Sequence, residues 1–139
     1  MSKLAVIYWS GTGNTQTMAE AVAAGAREAG ADVSLLTCAE ANDISAYDAV
    51  ALGCPAMGAE ELEDGEFLPM LEKIEPALPW KKVALFGSYG WGDGEWMRTW
   101  EARCVEKGIT LTAASVMANE APDGDALAAC RALGAELTK

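Results

Sequence analysis

At 139 residues, 51% hydrophobic and 22% charged, the chain has the size and composition of one globular domain with enough apolar content for a real core. Its 10 basic and 21 acidic side chains give a net charge of −11, which argues against nucleic acid and anionic membranes and for partners with basic faces. The four cysteines are scattered and histidine is absent, so neither a transition-metal site nor Ser–His or Cys–His hydrolytic chemistry is expected.

Strands and helices alternate along the chain. An apolar run predicts a first strand over Lys3–Trp9. A loop of hydroxyls and glycines, Ser10-Gly11-Thr12-Gly13-Asn14-Thr15, leads into a helix over Gln16–Ala29, with Met18, Val22, Ala26 and Ala29 on one face and Gly30 closing it. A second strand is expected over Asp32–Thr37, a turn or short helix over Ala39–Ala46, and a third strand over Ala49–Gly53. An acidic loop, Pro55–Gly65, precedes a helix carrying Phe67, Leu71 and Ile74, which Pro76 and Pro79 end. A fourth strand, Lys82–Ser88, is followed by the glycine- and aromatic-rich loop Tyr89–Gly94 and by a helix with Trp96, Met97, Trp100 and Cys104 inward. A fifth strand is expected over Ile109–Val116, and Asp123 caps a last helix with Leu127, Cys130, Leu133 and Leu137 inward. Five βα units in residues 1–139 predict a single α/β domain, a doubly wound parallel sheet with helices on both faces. No run approaches the roughly 18 apolar residues of a membrane span. The N-terminus enters a strand at once, so no signal peptide is expected. With apolar-flanked, unpaired cysteines, the expected location is the cytoplasm.

In such a sheet, ligands sit beyond the carboxyl ends of the strands. That rule gathers three loops. Ser10–Thr15 is a phosphate cradle: glycines turn backbone N–H groups inward, and Ser10, Thr12, Asn14 and Thr15 add side-chain donors at a helix N-terminus. It lacks the Gly-Lys-Ser/Thr of a nucleotidase loop. Gln16 stands where a dinucleotide fingerprint needs its third glycine, and Asp32 starts the second strand rather than ending it. A single terminal phosphate fits better. The other two loops bring Met57-Gly58 and Gly90-Trp91-Gly92, a thioether and an indole that would sandwich a flat aromatic ligand. A phospho-receiver domain of the same topology needs an aspartate at the end of strand three, where this chain reads Leu52-Gly53-Cys54.

Three motifs in this order, Tyr8-Trp9-Ser10-Gly11-Thr12-Gly13-Asn14-Thr15, Leu52-Gly53-Cys54-Pro55-Ala56-Met57-Gly58 and Leu85-Phe86-Gly87-Ser88-Tyr89-Gly90-Trp91-Gly92-Asp93-Gly94, make the chain resemble the short-chain flavodoxins of anaerobic bacteria such as clostridia and Megasphaera. The resemblance spans essentially the whole sequence. It implies strand order 2-1-3-4-5, non-covalent FMN, and a low-potential one-electron carrier rather than an enzyme. Ser10, Gly11, Thr12, Gly13, Asn14 and Thr15 would hold the phosphate. Pro55, Ala56, Met57 and Gly58 would form one wall, and Ser88, Tyr89, Gly90, Trp91 and Gly92 the other. Glu60 would approach the ring's N3–H, and Asn119-Glu120 would lie near the pocket after strand five. Implied partners are redox enzymes with basic docking faces, such as ferredoxin-type oxidoreductases and NAD(P)H–flavodoxin reductases, with the carrier a monomer.

The resemblance also implies that the peptide carbonyl after Met57 turns toward flavin N5 on reduction, a change that Gly58 eases. Relatives often carry Asp or Asn after this glycine, and this chain carries Ala59. If the turned state is a type II turn, Ala59 must take a positive φ, which it accepts poorly. Pro55 stiffens the approach to Met57. Cys54, beside the site, is read as a structural thiol. The alternative functions are a small flavin-dependent NAD(P)H or quinone oxidoreductase and a flavodoxin-like activator of ribonucleotide reductase.

Overall fold

A computed structural model describes residues 2–139. Five strands, β1 (Lys3–Tyr8), β2 (Asp32–Thr37), β3 (Ala49–Gly53), β4 (Lys82–Tyr89) and β5 (Val116–Asn119), pair in parallel in the order β2-β1-β3-β4-β5. The helices are α1 (Asn14–Glu28), α2 (Phe67–Ile74), α3 (Glu95–Glu106) and α4 (Gly124–Glu136). Alternation along the strands divides the core in two. Leu4, Val6, Ala49, Ala51, Ala84 and Phe86 face α1 and α4, while Ala5, Ile7, Val50, Leu52, Val83 and Leu85 face α2 and α3.

The two layers are packed by different means. α1 and α4 approach until backbones touch: a Cβ on Gly25 would collide with the Arg131 carbonyl, and one on Gly134 with that of Val22. The other layer is filled by large side chains, among them Phe67 and Trp100, edge to face at 5.4 Å and 84°. There the buried Glu75 carboxylate takes two hydrogen bonds from Arg103, at 2.7 and 2.8 Å, fixing α3 to the 3₁₀ segment Glu75–Trp80. That segment holds both Pro76 and Pro79, as the helix stop predicted.

The last strand is shorter than its apolar run predicts. Residues 109–115 do not form a continuous strand: Leu111 makes one isolated bridge to Val83, and regular pairing begins only at Val116, opposite Phe86. Five residues of the outer segment thus span the distance of three on β4, and the surplus bends away before β5 starts. Apolar content alone does not register such a surplus. The turn or short helix expected over Ala39–Ala46 is one 3₁₀ turn, Cys38–Glu40, closed by a reciprocal Thr37–Glu40 capping box. Helix α1 begins at Asn14, two residues earlier than expected, and Ala29 is its exposed C-cap rather than part of the buried stripe.

Candidate functional site

Helices α1, α2, α3 and α4 start at the carboxyl end of the sheet, and each start leaves N–H groups without intrahelical acceptors. Protein carboxylates serve three of them. Asp123 accepts the Ala126 N–H of α4 at 2.8 Å. At α2, Glu63 accepts from Glu66 and Phe67 at 2.7 Å each and from Gly65 at 2.8 Å. At α3, Glu60 Oε1 accepts the Glu95 N–H at 3.2 Å. Burial works against ionisation of Glu63, but its three N–H donors outweigh that and hold the carboxyl below the ordinary value.

The α1 start is different. Its N-cap is Gly13, at φ 98°, with no side-chain cap and no acid in the first turn. The Ser10 hydroxyl accepts from Gly13 N–H at 3.0 Å and from Gln16 N–H at 3.3 Å, shaping the loop. Beneath it, Thr15 Oγ1 is buried and has no hydrogen-bond partner among the described residues. A buried hydroxyl left unpaired at a positive helix end fits an anion that brings its own oxygens. The donor set present therefore suits a phosphate.

A cavity of about 280 Å³ opens from this cradle. Trp9, Ser10, Gly11, Thr12, Asn14 and Thr15 form one side, Pro55, Ala56 and Met57 a second, and Ser88, Tyr89 and Gly90 a third, with Glu120 completing it. Met57, on the second side, is 36% exposed, and Trp91, on the loop after β4, is 64% exposed. A larger cavity, about 630 Å³ between the β5 segment and α4, is lined by four alanines, Val116, Met117 and Leu133, with Ser115 and Glu136 as its polar members.

The floor requires close approaches. A Cβ on Gly53 would strike the Phe86 ring, and one on Gly87 would strike the Cys54 carbonyl. That carbonyl accepts the buried Trp96 indole N–H at 3.1 Å, fixing α3 beneath the loop after β3. Burial pushes the Cys54 thiol up to about 12, so it stays protonated near neutrality.

The structure gathers most of the expected residues and redistributes some. Gly13 lies behind the cavity wall as the α1 N-cap, and Gly58, Trp91 and Gly92 stand outside the lining. Asn119 also stands outside: its amide points toward the Tyr89 carbonyl at 3.5 Å, and the next residue, Glu120, faces the cavity. Glu60 turns to α3. Trp9 is the lining residue that motif reading passed over. Its place directly before the cradle was the available signal, and its indole N–H donates to Glu66 at 3.4 Å. Positive φ falls on Gly58 and Glu60, at 47° and 58°, and not on Ala59.

A protein-family model described as flavodoxin matches residues 6–134. The chain belongs to the flavodoxin family. It is 45% identical over 136 residues to the flavodoxin of Megasphaera elsdenii, covering 96% of this chain and 97% of the relative. It is 46% identical over 120 residues to that of Clostridium beijerinckii, covering 85% and 87%. The solution structure of two-electron reduced M. elsdenii flavodoxin superposes with a TM-score of 0.88 at 43% identity, covering 97% and 98% of the two chains. This flavodoxin is therefore an FMN-binding electron carrier and not an enzyme, and it passes electrons between redox partners. Among the described residues, no helix is long and apolar enough to cross a membrane.

Proposed function

We propose that residues 1–139 act as a single FMN domain in which the α1 start holds the phosphate and the slot between Met57 and Trp91 holds the ring. The observation that carries this reading is a helix start without a carboxylate above a partnerless, buried Thr15 hydroxyl. Ser10, Thr12, Asn14 and Thr15 donate side-chain groups, and the loop at Gly11 and Thr12 donates backbone N–H groups. Bound FMN supplies one-electron chemistry, and the chain holds and tunes it.

The tuning comes from charge. The loops around the slot carry Glu60, Glu61, Glu63, Asp64, Glu66, Asp93, Glu95 and Glu120, and on those stretches only Arg98 opposes them, itself paired with Asp93 and Glu95 at 2.8 Å. A carboxylate about 8 Å from added negative charge, at an effective dielectric of about 40, costs about 1 kcal/mol. That corresponds to some tens of millivolts, about 59 mV per 1.4 kcal/mol for one electron, so several carboxylates favour a low potential. The same charge suits partners with basic faces, of the kinds represented by ferredoxin-type oxidoreductases and NAD(P)H–flavodoxin reductases, in the cytoplasm and with the carrier a monomer.

Titration of the cofactor-free protein with FMN and with riboflavin tests the cradle. FMN is expected to bind at least about tenfold more tightly, since charge-assisted hydrogen bonds contribute about 1.5–3 kcal/mol. Equal affinities would remove the phosphate from α1. Electron transfer to a basic-faced partner is expected to slow as salt is raised.

A further inference from the structure

Glu60 holds a backbone conformation that non-glycine residues adopt at a cost, with φ at 58°. It is the last of three residues between Met57 and Glu61, whose backbones bond to one another in both directions at 2.8 and 2.9 Å. A left-handed residue closes such a loop, and glycine would do so with less strain. What glycine lacks is the carboxylate. That group crosses to α3, accepts the Glu95 N–H at 3.2 Å, and packs on Gly92 so closely that any Cβ there would collide with it.

The connection matters because of what lies beside it. Trp91 is 64% exposed, so packing does not fix its position. Its loop is held from the ends. On one side, Tyr89 accepts from the Glu120 N–H at 2.7 Å and packs on Trp96 at 5.4 Å. On the other, Gly92 and the α3 start rest on Glu60. The α3 N-cap is Gly94, which brings no side chain of its own.

We infer that Glu60 is a positioning residue, a strap from the Met57 turn to α3 that sets the separation of Met57 and Trp91 before any ring enters between them. The inference rests on the reading of that slot as the ring site, but the strap itself belongs to the cofactor-free protein. It is distinct from a contact between Glu60 and the ring, which the resemblance implies.

The test compares wild type, Glu60→Gln, Glu60→Ala and Glu60→Gly by amide hydrogen exchange without cofactor, then by riboflavin and FMN titration. Gln keeps an acceptor oxygen, so Glu95 exchange is expected to stay near wild type. Ala and Gly remove it, and Glu95 is expected to exchange about tenfold faster or more, with weaker riboflavin binding. Gly is the decisive variant: it relieves the backbone strain, so a residue serving only the turn would be improved by it. Unchanged Glu95 exchange in Ala and Gly would overturn the strap. So would riboflavin binding by the Gly variant as tight as wild type. Failure of wild type to bind either flavin would instead defeat the reading of the slot, while the exchange result would still decide whether the strap exists.

Discussion

Helices α1 and α3 begin alike and end up chemically opposite. Each starts on a left-handed glycine, Gly13 at φ 98° and Gly94 at φ 96°, at the same end of the same sheet, and neither glycine supplies a cap. At α3 the positive end is already served, by Glu60 on the Glu95 N–H and by Glu95 itself in the first turn. At α1 hydroxyls replace carboxylates, and one of them, on Thr15, is left unpaired. Helix polarity is therefore necessary for an anion site but does not choose it. The choice is made by which starts the chain's own acids leave free.

Converting α1 into the likeness of α3 gives the largest expected effect. Thr12 is exposed on the cradle loop, so Thr12→Glu adds a carboxylate there without disturbing the core. A unit charge about 5 Å from a phosphate, at an effective dielectric of about 40, is opposed by about 1.7 kcal/mol per phosphate charge. FMN affinity is expected to fall by about 100-fold, or about 2.8 kcal/mol, with riboflavin affinity nearly unchanged. Fluorescence titration reads both. Parallel losses for the two ligands would mean that the ring and not the phosphate senses residue 12.

Removing the unpaired hydroxyl sharpens the contrast by separating folding from binding. Thr15→Val keeps shape and deletes Oγ1. Because that atom has no partner among the described residues, stability without ligand is expected to hold or rise, by up to about 1 kcal/mol. FMN affinity is expected to fall about tenfold, since a hydrogen bond to a charged group contributes about 1.5–3 kcal/mol. Thermal unfolding in phosphate-free buffer and FMN titration give the two signs. A destabilised variant would mean that Thr15 serves the fold.

Sequence reading reaches the backbone frame and falters where partners are distant. The buried run Ala49–Gly53 is a local signal, and β3 and β2 have the bounds expected for them. The cradle is local too, a contiguous run between a strand and a helix. Glu60 is not: its hydrogen bond reaches 35 residues ahead, and the residue that makes room for it is Gly92. Asn119 and Glu120 show the same limit on a smaller scale, because which of two adjacent side chains faces the cavity depends on Glu120 taking φ 58°. The bend before β5 depends on a register with β4 that no window of apolar residues records. Ala59 lies between these cases. It is outside the positive-φ region in this turn, so any penalty arises only when the turn changes. Ala59→Gly is expected to widen the separation of the two one-electron potentials by about 40 mV, the equivalent of about 1 kcal/mol of relieved backbone strain. Anaerobic potentiometry would refute this by finding no change.

Helix α2 supplies a third member of the comparison and the smallest expected effect. Its carboxylate comes from its own approach loop: Glu63 spans Gly65, Glu66 and Phe67 with both oxygens. Burial disfavours the charge, the three donors favour it more, and the carboxyl sits below its ordinary value. A carboxyl lowered in the folded state contributes stability above the unfolded value near 4.5 and loses it as pH falls through the folded one. Glu63→Gln keeps one acceptor oxygen and turns an amide toward the remaining N–H. Its urea midpoint is expected to lie slightly below wild type at pH 7, and the gap is expected to close as pH drops below the ordinary carboxyl range. A gap that persists unchanged into acid would show that the charge at α2 is incidental, and that α1 differs from its neighbours in the shape of its cap rather than in the sign it leaves free.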